Sequence, residues 1–155
     1  MTERRKIAFG DVKMSKLEVK ELVVGGDPIN GTTGNQMADG VTFTIGTEAA
    51  NAINVAMQVT SGGSDMAEIG VYQVYLSDAS TGIGISGTAP ATSVAVGTDG
   101  AVIVTQTAKL AWVLQTEADG DVDLTITDTT GATWYMVVVM PDGSLAVSGA
   151  ITFAT

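Results

Sequence analysis

The chain has 155 residues, with no Cys, no His, 19 Gly and 17 acidic against 7 basic side chains, a formal net charge of −10. That composition excludes disulfides, thiolate and Ser-His-Asp nucleophiles, zinc sites of nitrogen and sulfur ligands, and haem ligation by His or Cys. Strong acidity also disfavours nucleic-acid binding by the body of the protein.

Charge divides the chain unevenly. Residues 1–26 hold six of the seven bases (Arg4, Arg5, Lys6, Lys13, Lys16 and Lys20) and four acids, a net +2, whereas the remainder holds Lys109 alone against thirteen acids, a net −12. A segment so unlike the rest reads as a separate arm. It also carries Ile7, Phe9, Met14, Leu17, Val19, Leu22, Val23 and Val24, more apolar content than a solvating tail needs. The expectation is a docking arm: its six bases meet carboxylates, and Phe9, Leu17, Leu22 and Val24 are buried against a partner. Exposed ion pairs each contribute only ~0–1 kcal/mol, so apolar burial supplies most of the affinity. Four acids among the bases and a single aromatic argue against nucleic acid as that partner. Lys13, Lys16 and Lys20 interrupt any targeting-type apolar core, and no run of eighteen apolar residues offers a transmembrane helix. Neither a membrane nor a leader is expected, and assembly in the cytoplasm is.

Residues 27–40 (DPINGTTGNQMADG) have the composition of a linker. From Val41 to the C-terminus the pattern has period two. Val41, Phe43 and Ile45 alternate with Thr42 and Thr44; Ile53, Val55, Met57 and Val59 with Asn54, Ala56, Gln58 and Thr60; Val122, Leu124 and Ile126 with Asp121, Asp123, Thr125 and Thr127. Such runs put one apolar face inward. Runs 69–76, 109–115 and 133–140 are apolar on both faces, as expected of strands central in a two-layer core or covered by another chain. The spacing predicts strands over 41–46, 52–60, 67–77, 92–96, 101–106, 109–116, 121–128, 132–141 and 144–153. Asp-Gly at 39–40, 99–100, 119–120 and 142–143 reads as hairpin turns. Seven to nine short strands point to an all-β fold, an immunoglobulin-like antiparallel β-sandwich over 41–155, preceded by the extended arm; a closed barrel is the alternative.

Few residues carry recognisable chemistry. Glu117, Asp119, Asp121 and Asp123 place carboxylates at every second position, and an all-oxygen set suits Ca²⁺. The order of an EF-hand is missing, and Asp119-Gly120 explains itself as a turn, so no metal and no cofactor is assigned. The same carboxylates could in principle serve a glycosidase, but no aromatic-rich groove accompanies them, so no catalytic residue is assigned. Trp112, Trp134, Tyr72, Tyr75 and Tyr135 fall inside predicted strands, which favours packing over sugar stacking. The Gly clusters at 25–26, 62–63 and 82–87 precede no helix and read as flexible loops rather than phosphate cradles.

The stretches TWYMVVVMPDGSLAVSGAITFAT, ADGDVDLTITDTTGA and VYQVYLSDASTG carry a resemblance covering about three quarters of the chain. From residue 41 onward the protein resembles the immunoglobulin-like domains of tailed-bacteriophage virion proteins, including head fibres, capsid decoration (cement) proteins and some tail-fibre domains. The resemblance implies a non-enzymatic structural role on the capsid exterior, with the major capsid protein or another virion protein as partner. It also implies a homo-oligomer, a trimer being favoured, and brings no catalytic residues. A tail or baseplate fibre module binding a host-surface glycan or receptor is the alternative, and a carboxylate hydrolase the third.

Overall fold

A computed structural model of the chain describes residues Leu22–Val24, Asp27–Ile29 and 37–154. The chain divides into two units, Met1–Asn35 and Gln36–Thr155. In the first, β1 (Leu22–Val24) pairs antiparallel with β2 (Asp27–Ile29), Val24 opposite Asp27. Strand β1 holds Leu22 and Val24 of the expected arm; Arg4, Arg5, Lys6, Phe9, Lys13, Lys16, Leu17 and Lys20 lie outside the described residues.

The second unit is a β-sandwich, and among the described residues there is no helix. Its strands are β3 (Gly40–Ile45), β4 (Ala52–Ser61), β5 (Ser64–Asp65), β6 (Val71–Ser77), β7 (Ser93–Val96), β8 (Ala101–Thr107), β9 (Ala111–Gln115), β10 (Asp121–Thr127), β11 (Thr133–Val139), β12 (Leu145–Val147) and β13 (Ile151–Thr152). One sheet runs β3-β4-β10-β7, with β5 extending from the end of β4; the other runs β12-β11-β6-β9-β8, with β13 also on β11. All pairings are antiparallel.

Alternation explains which side of each strand is dry. Ile53, Val55, Met57 and Val59 of β4 and Val122, Leu124 and Ile126 of β10 face Val74 and Leu76 of β6, Trp112 and Leu114 of β9, and Trp134, Met136 and Val138 of β11 in one core. Trp134 meets Phe153 edge to face, with ring centroids 6.0 Å apart.

Three details differ from the sequence reading. First, the predicted strand 144–153 is two strands on the same neighbour. Between them the Ser148 amide still donates to the Met136 carbonyl at 2.9 Å, but the Met136 amide donates to the Ser148 hydroxyl at 2.8 Å, which in turn donates to the Gly149 carbonyl at 2.8 Å. Second, only the Asp-Gly at 142–143 joins adjacent strands of one sheet. Those at 99–100 and 119–120 carry the chain from one sheet to the other, and Gly40 already belongs to β3. A positive-φ turn reverses the backbone whatever strand follows, so the dipeptide marks a corner without naming its partners. Third, the glycines at 62–63 and 82–87 are not free loops. Gly62 and Gly63 (φ 60° and 78°) make the two-residue turn between β4 and β5, whose Gly62 amide donates to Asp39 at 2.7 Å. The 82–87 loop is bonded down at Ser86, whose amide donates to the Leu76 carbonyl at 2.8 Å.

The turn between β3 and β4 has the same left-handed geometry without the glycines. Ala49 and Ala52 exchange backbone hydrogen bonds around Ala50 (φ 52°) and Asn51 (φ 63°). Asn tolerates that region and Ala does not, at a cost of roughly 1–2 kcal/mol. Ala50→Asn is therefore expected to raise stability by about 0.5–1 kcal/mol in a urea melt with unchanged slope.

Candidate functional site

Two surfaces of the sandwich stand out: an acidic corner and an uncharged sheet face. The corner forms where the chain passes from β9 to β10. The Glu117 amide donates to the Asp121 carbonyl at 2.8 Å and the Gly120 amide to the Glu117 carbonyl at 3.0 Å, closing a tight turn. The turn is fastened to β4 by the Gln58 side-chain amide, which donates to the Asp119 carbonyl at 2.8 Å, and by the Val59 amide, which donates to the Gly120 carbonyl at 3.0 Å. Gly120 has φ 84° and sits against the Met66 carbonyl, where no Cβ fits.

That turn gathers Glu117, Asp119 and Asp121, each with a carboxylate oxygen within 4.8 Å of the others. Asp123, the fourth acid of the series, is not among them. Its carboxylate accepts the Asn54 side-chain amide at 2.6 Å and the Asp99 amide at 2.9 Å, so it braces the corner between β7 and β8. Glu117 and Asp119 are exposed and Asp121 is half-buried, an all-oxygen set of the kind that hard cations take.

The corner holds repulsion. Burial, a proton shared with Asp119 and the charges of Asp119, Asp99 and Glu117 push Asp121 from 3.8 up to about 6, and its Oδ1 is buried without a hydrogen-bond partner. The folded chain thus holds this proton more tightly than the unfolded chain does. Its contribution to stability is complete below pH 3.8 and is lost as pH rises through about 6. Asp121→Asn is expected to leave stability unchanged at pH 4 and to raise it by about 1 kcal/mol at pH 8, the partly exposed site being screened by water. Thermal melts at the two pH values read the difference.

The second surface is the outer face of the β12-β11-β6-β9-β8 sheet. Leu145, Val139, Gln73, Val113 and Val104 lie side by side across its five strands, and Val71, Gln115 and Ala101 form a shorter adjoining row. None of the residues in β6, β8, β9, β11, β12 and β13 is charged. An antiparallel sheet of this kind ordinarily alternates apolar inside with polar outside. Here the outer side carries Val71, Val104, Val113, Val139 and Leu145 as well, beside the uncharged Gln73, Gln106 and Gln115.

Part of this face is covered by the chain itself. The segment 78–86 folds back so that the Tyr75 hydroxyl donates to the Gly82 carbonyl at 2.6 Å, and Gly82 packs on Val137 and Val147. Tyr75, Ala111 and Val137 are thereby buried in a second, smaller apolar cluster. The rest is open: Val71 is 57% exposed, Val104 49% and Leu145 39%, and the covering loop itself shows Ile83 at 75%. Strand β8 is exposed along its whole length. Val102 lies opposite Leu114 and is 40% exposed while Leu114 is fully buried, so the opposing sheet ends over β9.

The aromatics divide differently. Trp112, Trp134 and Tyr72 are in the core and Tyr75 is under the loop, which leaves Tyr135 half-buried. The strands could have been tallied for charge one by one from the sequence, but that six of the uncharged ones share one sheet is a property of the pairing. Among the described residues no helix is long and apolar enough to cross a membrane. Comparison with protein-family models, with curated proteins and with solved structures finds no match.

Proposed function

We propose that this protein is a non-enzymatic structural component of a tailed-phage virion, an immunoglobulin-like module that binds the capsid shell through residues 1–26 and decorates its exterior as a homo-oligomer. The observation that carries the reading is the division of the chain into a basic, apolar segment (+2) and an acidic β-sandwich (−12). The first is suited to gripping and the second to facing solvent and its own copies.

Strand order supports the immunoglobulin-like part. β3, β4, β10 and β7 stand as strands A, B, E and D stand in a constant-type domain, and β12, β11 and β6 as G, F and C. The β8–β9 hairpin is an addition beside C, inserted between D and E. The role then is bridging: many modest contacts, repeated by symmetry, tie shell subunits together. A glycan-binding fibre module would draw on exposed aromatics, and four of the six strand aromatics are buried, with Phe43 and Tyr135 half-buried.

Removal of residues 1–26 is expected to abolish binding to undecorated shells, and a chain carrying both Phe9→Ser and Leu17→Ser to weaken it at least about tenfold, a loss of about 1.4 kcal/mol. Raising salt from about 0.1 to about 1 M shortens the screening length roughly threefold and should weaken binding only partly. Unchanged binding by the truncated chain contradicts the reading.

A further inference from the structure

We infer that the uncharged outer face of the β12-β11-β6-β9-β8 sheet is a self-association surface, and that its occupant is the same face of another copy of this chain. The inference deepens the homo-oligomer part of the reading above by naming the surface, and it can fail without touching shell binding through residues 1–26.

Charge selects the occupant. Outside residues 1–26 the chain has thirteen acids and one Lys, so two copies approaching by most surfaces bring like charges together. The outer face of the other sheet carries Asp121 and Asp123, with Glu117 and Asp119 at its corner; there, association between copies is opposed. The face bearing Val71, Val104 and Leu145 has no charged residue in any of its strands. Two copies can meet on its strands without placing carboxylates in apposition, since Asp78 and Asp142 lie in the segment after β6 and in the β11–β12 turn and not in the strands themselves.

Area is sufficient for the purpose. Five strands at ~4.8 Å spacing and six residues at ~3.3 Å give a face of roughly 24 by 20 Å, part of it presented by the 78–86 segment that covers Tyr75, Ala111 and Val137, and two such faces remove on the order of 1,000 Å² from water, the threshold for a specific interface. Ile83 and Ile85, 75% and 48% exposed on the loop laid over this face, stand in for the part that the loop covers. The edge strand β8 of this face holds neither Lys nor Pro and exposes Val102, Ile103 and Val104, its only edge irregularities being the shifts in register with β9 at Val102/Val104 and Thr105/Thr107.

The test is sedimentation equilibrium of the full-length chain over about 1–100 μM, a span that covers free energies of association near −8 to −5 kcal/mol. A dimer is expected, because a face that meets its own copy closes about a two-fold axis, and it should tighten as salt screens the net charge of −10. Val71→Asp and Val104→Asp, each at an exposed position, should weaken it at least about tenfold per substitution. Thr42→Asp, exposed on the opposite face, should leave it much less affected. Circular dichroism melts confirm that each variant is folded. A chain that stays monomeric at the highest concentration overturns the inference, and so does an oligomer that Thr42→Asp disrupts and Val71→Asp does not.

Discussion

Trp134→Ala is expected to lower the free energy of unfolding by about 3–5 kcal/mol, the largest single-residue effect in the sandwich. The side chain is 1% exposed and touches three parts of the fold at once. Its indole N–H donates to the Thr88 carbonyl at 2.9 Å, its ring meets Phe153 edge to face at 74°, and its strand pairs with β13. Truncation therefore opens a cavity in the core and frees both the C-terminal strand and the segment leading to β7. Trp134→Phe keeps most of the packing, and the Thr88 carbonyl still accepts the Ser86 hydroxyl, so a cost of about 1–2 kcal/mol is expected there. Urea titrations of the two variants give the difference. Equal losses would show that the hydrogen bond, not the volume, dominates.

Asp128→Ala comes second, at about 2–4 kcal/mol. Asp128 is a fully buried acid at the end of β10. Its carboxylate accepts the Ala91 amide at 2.8 Å, the Thr130 amide at 2.9 Å and the Thr130 hydroxyl at 2.8 Å. Burial alone would raise its pKa, but these bonds and one from the Ala132 amide outweigh it and hold the pKa below 3.8. The sign is opposite to that of Asp121. The contribution of Asp128 is complete above pH 3.8 and is lost as pH falls through the lowered value. Asp128→Asn, which preserves shape but replaces one acceptor oxygen by a donor, should be less stable than the native chain at pH 7, and the gap should close in acid. A gap that persists undiminished at pH 2 would mean that the charge is not what the surrounding amides hold.

Local patterning made much of the fold legible. The alternation in 52–60 and 121–128 placed β4 and β10 to within a residue or two and correctly put Val55, Met57, Leu124 and Ile126 in the core. The double-sided runs 69–76, 109–115 and 133–140 correspond to β6, β9 and β11, side by side in the centre of one sheet. Period two reports which side of a strand is dry, and that depends on the strand alone.

Partnership depends on distant residues, and there the sequence was silent. Nothing in AVIVTQT distinguishes a covered strand from β8, which lies beyond the end of the opposing sheet. Nothing in the alternating acids separates Asp123, turned toward Asn54 and the Asp99 amide, from the three carboxylates at the neighbouring turn. The 82–87 glycines read as loose because composition does not show that Gly82 lies under a tyrosine hydroxyl. The charge split, by contrast, needed no structure. What the fold adds is that six strands without a charged residue share one sheet.

The central claim, a shell-bound structural protein, is tested most directly by imaging purified particles that carry a labelled copy of the chain. The account predicts label at regularly repeated positions on the outer surface of the head. Label confined to the tail, or absent from the particles, would contradict it.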